Sequence, residues 1–263
     1  MRNSKRFSLL TVCLVWLLNT SALSGATHLY AQNLVVGVED VSYYPYFDFA
    51  ASDTSFSKSV LDKFAADMGH TISYVPLPIK QFSKWLYENN VDFKFPDNKR
   101  WQDASESDSH ATYFSNSVLY LRAGTIVLAR NKDKPAVFFK NLGMVTGFYP
   151  TLWIDKIAKK RVSLLDDTSP KVLVKHLVNE IVDGIDIDIA VANHYLKELN
   201  ANEQLVYSSK LTQEVFGHQL STIKYPEIIE QFNQWLAKNP EYLKTLKQQF
   251  AIPEVLPNKV QLH

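Results

Sequence analysis

From Leu34 onwards the spacing of apolar positions changes several times, and each change predicts an element. Residues 34–38 form a short unbroken apolar run, the pattern of a strand buried on both faces. From Phe56 the spacing becomes helical, through Val60, Leu61, Phe64, Ala65 and Met68, and Gly69 is placed to end that helix. Residues 71–75 are β-branched and alternating, so they read as a second strand. Ile79, Phe82, Trp85 and Leu86 make a second helical stripe, and 91–95 a third strand. Strand, helix, strand, helix, strand predicts a parallel sheet with right-handed crossovers. In such open sheets the ligand sits beyond the carboxyl ends of the strands. Those ends carry Glu39-Asp40 with Tyr43, Tyr44, Tyr46 and Phe47, then Asp97 and Asn98.

The polar stretch 99–112 reads as loop, with Trp101 its only large apolar residue. Residues 113–129 read as one long extended segment bent near Gly124. A second βαβ series follows: a strand at 142–145, a turn at 146–148, and a helix after Pro150 through Leu152, Ile154 and Ile157. A strand at 162–165, a helix from Ser169-Pro170, a strand at 183–188 and a helix at 189–199 complete it. Residues 206–220 return the chain to the first unit. Pro226 opens a helix carrying Ile228, Ile229, Phe232, Trp235 and Leu236, and Asn239-Pro240 caps and opens the last one. The expected organisation is a lobe of 32–121 plus 217–263 and a lobe of 124–213, with hinge crossings at 121–125 and 213–217. Lobes joined twice can close like a jaw.

Composition narrows the function classes. The chain has 263 residues, 46% hydrophobic content and a net charge of +1, so nucleic acid or an acidic membrane surface is not expected as partner. Arg2, Lys5 and Arg6 precede an apolar run at 7–18 and then small residues, the order of a secretory signal peptide over 1–31 with cleavage after Ala26 or Ala31. That run is short for a membrane span. The single cysteine, Cys13, lies inside it, so the mature chain is expected without disulfides, which suits a bacterial periplasm. There is no Gly-x-Ser-x-Gly elbow, His-Glu-x-x-His helix or Gly-rich phosphate loop, and the seven histidines are scattered. No metal or cofactor is expected.

Several motifs occur in order: Tyr44-Pro-Tyr-Phe47 after the first strand, Tyr113-Phe-Ser115, Asp183-Gly-Ile-Asp-Ile-Asp188 running into Ile189-Ala-Val-Ala192, Phe216-Gly-His-Gln-Leu220 and Ile228-Ile-Glu-Gln-Phe-Asn233. Together they resemble the family 3 periplasmic solute-binding proteins, the amino-acid receptors of ABC transporters, over most of 34–250. The resemblance implies an α/β fold of the type II periplasmic-binding-protein kind, with two lobes and two crossing strands. It implies a monomer that binds a small polar solute, an amino acid or amine, and presents it to an ABC permease or a membrane sensor in the inner membrane. In the family an aspartate five residues after another pairs with the ligand amine, and Asp188 stands there; Asp188 also suits the N-cap of its helix. Gly147 and Phe148 occupy the turn whose amides meet an anionic ligand group. Tyr44 or Phe47 is placed to stack on the ligand. The family's Thr-x-x-Arg, whose arginine forks onto a carboxylate, is missing. Asp97, Asn98 and Trp101 stand in that region, with Arg100 off register. With Glu39, Asp40, Asp97 and Asp188 near the cleft, a cationic ligand is one expectation, and a polyhydroxyl ligand stacked on Trp101 another. The rival class is a dehydratase-like enzyme using Glu39 and Asp97 as acid and base.

Overall fold

The computed structural model describes residues 31–50, 54–101 and 111–256. The expected signal segment and its cleavage sites lie outside them, as does most of the loop at 99–112. Among the described residues no helix is long and apolar enough to cross a membrane.

The first lobe begins with β1 (Asn33–Glu39), α1 (Phe56–Met68) and β2 (Thr71–Leu77). A 3-10 turn at Ile79–Lys84, a single α turn, α2 (Trp85–Glu88), and β3 (Phe93–Asp97) follow. Apolar spacing made each of these legible. Phe56, Val60, Leu61, Phe64 and Ala65 are the buried face of α1, which stops at Gly69, φ 75°, where the Gly69 amide reaches back to carbonyls of the last turn. The predicted helix at 79–86 is only a turn long because Gln81 leaves helical geometry. The third strand starts two residues later than its apolar run suggests. Val91 packs with Leu77, Trp85 and Leu86, while the Asp92 carboxylate accepts the Val35 amide at 3.1 Å. The parallel ladder therefore begins at Val36 opposite Phe93.

The predicted extended segment is three strands, β4 (Tyr113–Phe114), β5 (Leu119–Ala123) and β6 (Thr125–Leu128), broken at Gly124 between the last two. The second lobe adds β7 (Asn141–Val145), α3 (Ile154–Ala158), β8 (Ser163–Asp167), α4 (Pro170–Val178), β9 (Gly184–Asp186), α5 (Ile189–Glu198) and β10 (Leu205–Tyr207). Here α3 is shorter than predicted because 149–151 form a tight turn, with the Thr151 amide on the Tyr149 carbonyl. Trp153, 1% exposed, plugs the core among Val127, Phe139, Leu142 and Val162 and donates its Nε1–H to Thr125 Oγ1 at 2.9 Å. Likewise β9 is shorter than 183–188, since both flanking aspartates are diverted. Asp183 accepts the amides of Lys140 and Asn141 at 2.7 and 2.8 Å, and Asp188 caps α5.

The chain returns through β11 (Glu214–Thr222), followed by α6 (Pro226–Lys238) and α7 (Pro240–Gln249). A proline opens each of these last two helices. Asn239, expected to cap α7, instead donates its Nδ2–H to the Trp235 carbonyl, tying the end of α6. Two sheets result. One has the order β2-β1-β3-β11-β4 with β5 also on β11; the other has the order β10-β6-β9-β7-β8. In the first, β1 pairs parallel with β2 and β3, while β11 runs antiparallel to its neighbours. The connections between sheets are β5 to β6 and β10 to β11, and β5 and β11 pair from Glu214–Ala123 to His218–Leu119.

Candidate functional site

Where β1 ends, the chain folds back on itself. Tyr43 and Phe47 form an antiparallel bridge, with the Tyr43 amide on the Phe47 carbonyl at 2.9 Å and the Tyr46 amide on the Tyr43 carbonyl at 3.1 Å. The loop's Pro45 and Tyr46 carbonyls accept the amides of Phe56 and Ser57, at 3.1 and 2.9 Å. They thereby satisfy the first free N–H groups of α1, which no Ser55 side-chain bond caps. This docking fixes Tyr43, Tyr46 and Phe47 as buried side chains.

What the two tyrosines meet belongs to the second lobe, while Phe47 packs on Phe49 and His218 of the first. Asp188 Oδ1 accepts the Ala190 amide at 2.7 Å, the N-cap bond of α5. The same oxygen accepts the Tyr46 hydroxyl at 2.8 Å, from the other lobe. The Asp188 amide donates to Tyr43 Oη at 2.7 Å. Tyr207 continues the network, accepting the Ile189 amide at 3.3 Å and donating to the Arg122 carbonyl at 2.9 Å. Burial pushes the Asp188 carboxyl up to about 6, while the Ala190 amide and the Tyr46 hydroxyl hold it down. Burial, then the Asp188 charge, pushes Tyr46 well above the ordinary phenol range, so it stays a donor. Around this centre Ser42 Oγ and Tyr195 Oη lie 2.9 Å apart, and the Tyr44 ring packs on His194 at 4.4 Å between centroids. Phe148 packs on Tyr43 at 5.5 Å. Gly147, φ 94°, lets its turn press against the first lobe; a β-carbon there would sit 2.9 Å from Ile79 Cβ.

The wall formed by the first lobe has its own closed circuit. Asp97, 1% exposed, accepts Lys94 Nζ at 3.2 Å, the Ser221 hydroxyl and the Asn98 amide. Lys94 also lies 4.0 Å over the Phe82 ring. Asn98 turns its Nδ2–H onto the Gly217 carbonyl at 2.6 Å, fastening β3 to β11. Glu39 is buried with Oε2 unpartnered among the described residues. Burial, then the nearby Asp97 charge, pushes it up to about 8. His218 sits among the rings of Tyr46, Phe47, Phe95, Trp101 and Phe216. Its Nδ1 has no partner among the described residues, and burial pushes it down to about 3. Arg100 turns away to pair with Glu214, and Trp101 is the half-exposed member of the aromatic group.

The residues singled out from sequence thus fall into three places. Phe148, Gly147 and Asp188 meet the first lobe at the seam; Phe47, Glu39, Asp97, Asn98 and Trp101 lie on the first lobe, Phe47 beside His218. Tyr44 faces outward, lining with Ser42, Asp48, His194, Glu198 and Phe250 a groove of about 570 Å³. Two participants carried no sequence signal as such, Lys94, hidden in a strand, and Tyr207, in the return segment; His218 was visible only as part of the Phe216–Leu220 motif, with no role attached to its side chain. Tyr43 and Tyr46 were visible as an aromatic run, but their hydroxyl partners were not. Among the described residues no group of three or more His, Cys, Asp or Glu side chains is placed to hold a metal ion.

Solved structures decide the fold. An arginine third-transport-system periplasmic binding protein from Legionella pneumophila superposes with TM-score 0.61 at 13% identity, covering 84% of this chain and 100% of that one. The fold is that of the two-lobed periplasmic binding proteins. Within this binding-protein fold, an ancestral amino-acid-binding protein that is a precursor of cyclohexadienyl dehydratase gives TM-score 0.63 at 16% identity, covering 83% and 95%. A histidine kinase sensor domain with similarity to periplasmic binding proteins gives 0.65 at 13%, covering 83% and 95%. No family model and no curated protein matches the sequence.

Proposed function

We propose that this chain is an exported solute-binding protein that takes one small polar molecule between its lobes and presents the closed form to an ABC permease or a sensor in the inner membrane. The observation that carries the reading is the meeting of two separate sheets, joined by two connections, at a seam lined by buried polar groups and aromatic rings from both lobes. A ligand held there would stabilise the closed state by bridging the lobes. The 1–31 segment is the proposed signal peptide, the periplasm the proposed location, and a monomer the proposed state. The amino-acid or amine class rests on Asp188, whose carboxylate already carries the Tyr46 hydroxyl, so the proposal is kept at small polar solutes. Transport and sensing use the same jaw. A transport-system binding protein, an ancestral binding-protein precursor of a dehydratase and a kinase sensor domain share this fold, and turnover is the rival reading, favoured by one observation: Glu39 is buried near Asp97 with its Oε2 unpartnered among the described residues, and burial raises its affinity for a proton.

The test is a thermal-shift screen of amino acids, amines, small sugars and organic acids. A ligand at one hundred times its Kd stabilises the folded state by about 2.7 kcal/mol, a rise in Tm of roughly 5–10 °C for a chain of this size. A screen in which no solute of any class raises Tm refutes the receptor reading; recovery of a hit as product instead of unchanged ligand replaces it with the enzyme.

A further inference from the structure

At the seam, one oxygen of the Asp188 carboxylate is already saturated by groups of the protein itself. Asp188 Oδ1 carries two donors, the Ala190 amide and the Tyr46 hydroxyl. For an ammonium group to take that oxygen, the Tyr46 hydroxyl must leave. Its ring is fully buried, and its backbone is pinned by its own amide on Tyr43 and by the Ser57 amide on its carbonyl. A displaced hydroxyl would stay buried without a partner, which opposes the exchange. The cations expected near the site are likewise occupied, Arg100 turned to Glu214 and Lys94 to Asp97, and of the turn amides that of Phe148 donates to the Val145 carbonyl at 3.0 Å. Meanwhile the loop that supplies Tyr46 also supplies Tyr43 to the Asp188 amide and Ser42 to Tyr195, so one segment bridges the lobes at three points.

We propose that Tyr46, supported by Tyr43, substitutes for a ligand ammonium group on Asp188, so that the lobes close on their own loop and the cleft discriminates against amines and free amino acids. This rests on the solute-binding reading and narrows its ligand to small polar molecules without an ammonium group. Tyr46 is in this account a specificity-determining residue, and its hydroxyl is the discriminating atom.

The experiment compares the wild-type protein with Tyr46→Phe by small-angle X-ray scattering without ligand and by titration calorimetry with arginine, glutamine and putrescine as probes. The wild type is expected to scatter as the closed form before any ligand is added and to give no measurable heat of amine binding. Tyr46→Phe removes one of the two donors on Asp188 Oδ1, so the radius of gyration of the variant rises and at least one amine binds about tenfold or more tighter than to the wild type. An open unliganded wild type, or micromolar amine binding by the wild type that Tyr46→Phe leaves unchanged, overturns the proposal. Should the variant fail to fold, the wild-type scattering and titrations alone decide it. The outcomes stay separable from the broader reading: a wild type that binds no solute at all defeats the receptor function, while the effect of Tyr46→Phe on closure still tests the latch.

Discussion

Glu39 gives a prediction with a computable pH window. Its carboxyl is buried beside Asp97, and its affinity for a proton is raised from an ordinary 4.5 to about 8 in the folded chain. The unfolded chain therefore releases the Glu39 proton first as pH rises, and binds fewer protons than the native state between 4.5 and 8. Unfolding free energy falls with pH wherever the unfolded state holds fewer protons. At about 1.4 kcal/mol per pH unit, the window costs the wild type up to about 5 kcal/mol by pH 8. Glu39→Gln keeps the shape and removes the titration. The variant should match the wild type to within a constant below pH 4.5, gain steadily above it, and hold a fixed advantage beyond pH 8. His218 acts in the opposite sense: pushed down to about 3, it contributes stability that is present above 6.5 and lost as pH falls towards 3. Since both proteins carry His218, it cancels in the difference. Urea unfolding followed by tryptophan fluorescence at pH 4.5, 6, 7 and 8.5, at one ionic strength, measures that difference. A gap between the two proteins that stays the same at all four pH values would refute the buried-acid account of Glu39.

Two further substitutions probe the frame around the seam. Gly147→Val places a β-branched side chain at φ 94° against Ile79; the backbone alone should cost about 2 kcal/mol, read as a lower urea midpoint, and a variant of wild-type stability would show that the turn is not pressed on the first lobe. Asp183→Ala removes the acceptor of the Lys140 and Asn141 amides, an expected loss of about 1–2 kcal/mol in the same assay, with Asp183→Asn recovering part of it.

Much of the fold was legible because burial enforces periodicity. The α1 face, the β1 run and the α6 stripe each appear in the sequence as their buried residues appear in space. Legibility failed where a polar side chain overrode the pattern. Asp92, Asp183 and Asp188 bond backbone amides, and each shifts or shortens a strand that apolar spacing alone would extend. At the site, Asp188 as N-cap followed from its place before a helix, but its tie to Tyr46 spans 142 residues, a separation no local pattern encodes. Lys94 was unreadable for a similar reason. A lysine within an apolar strand looks like a solvent-facing residue until the fold brings Asp97 and Ser221 to meet it.

The position of β11 also bears on how the protein is assembled. This strand lies late in the chain, at Glu214–Thr222, yet it sits between β3 and β4 in the middle of the first sheet. A polypeptide emerging amino end first can therefore complete the second sheet while the first waits for its central member. Until residue 222 arrives, β3 has one edge without a hydrogen-bonding neighbour, the kind of edge on which strands of other chains assemble. Folding of this protein thus has a vulnerable interval set by topology, and it ends only when a strand from the last fifth of the polypeptide slots into place.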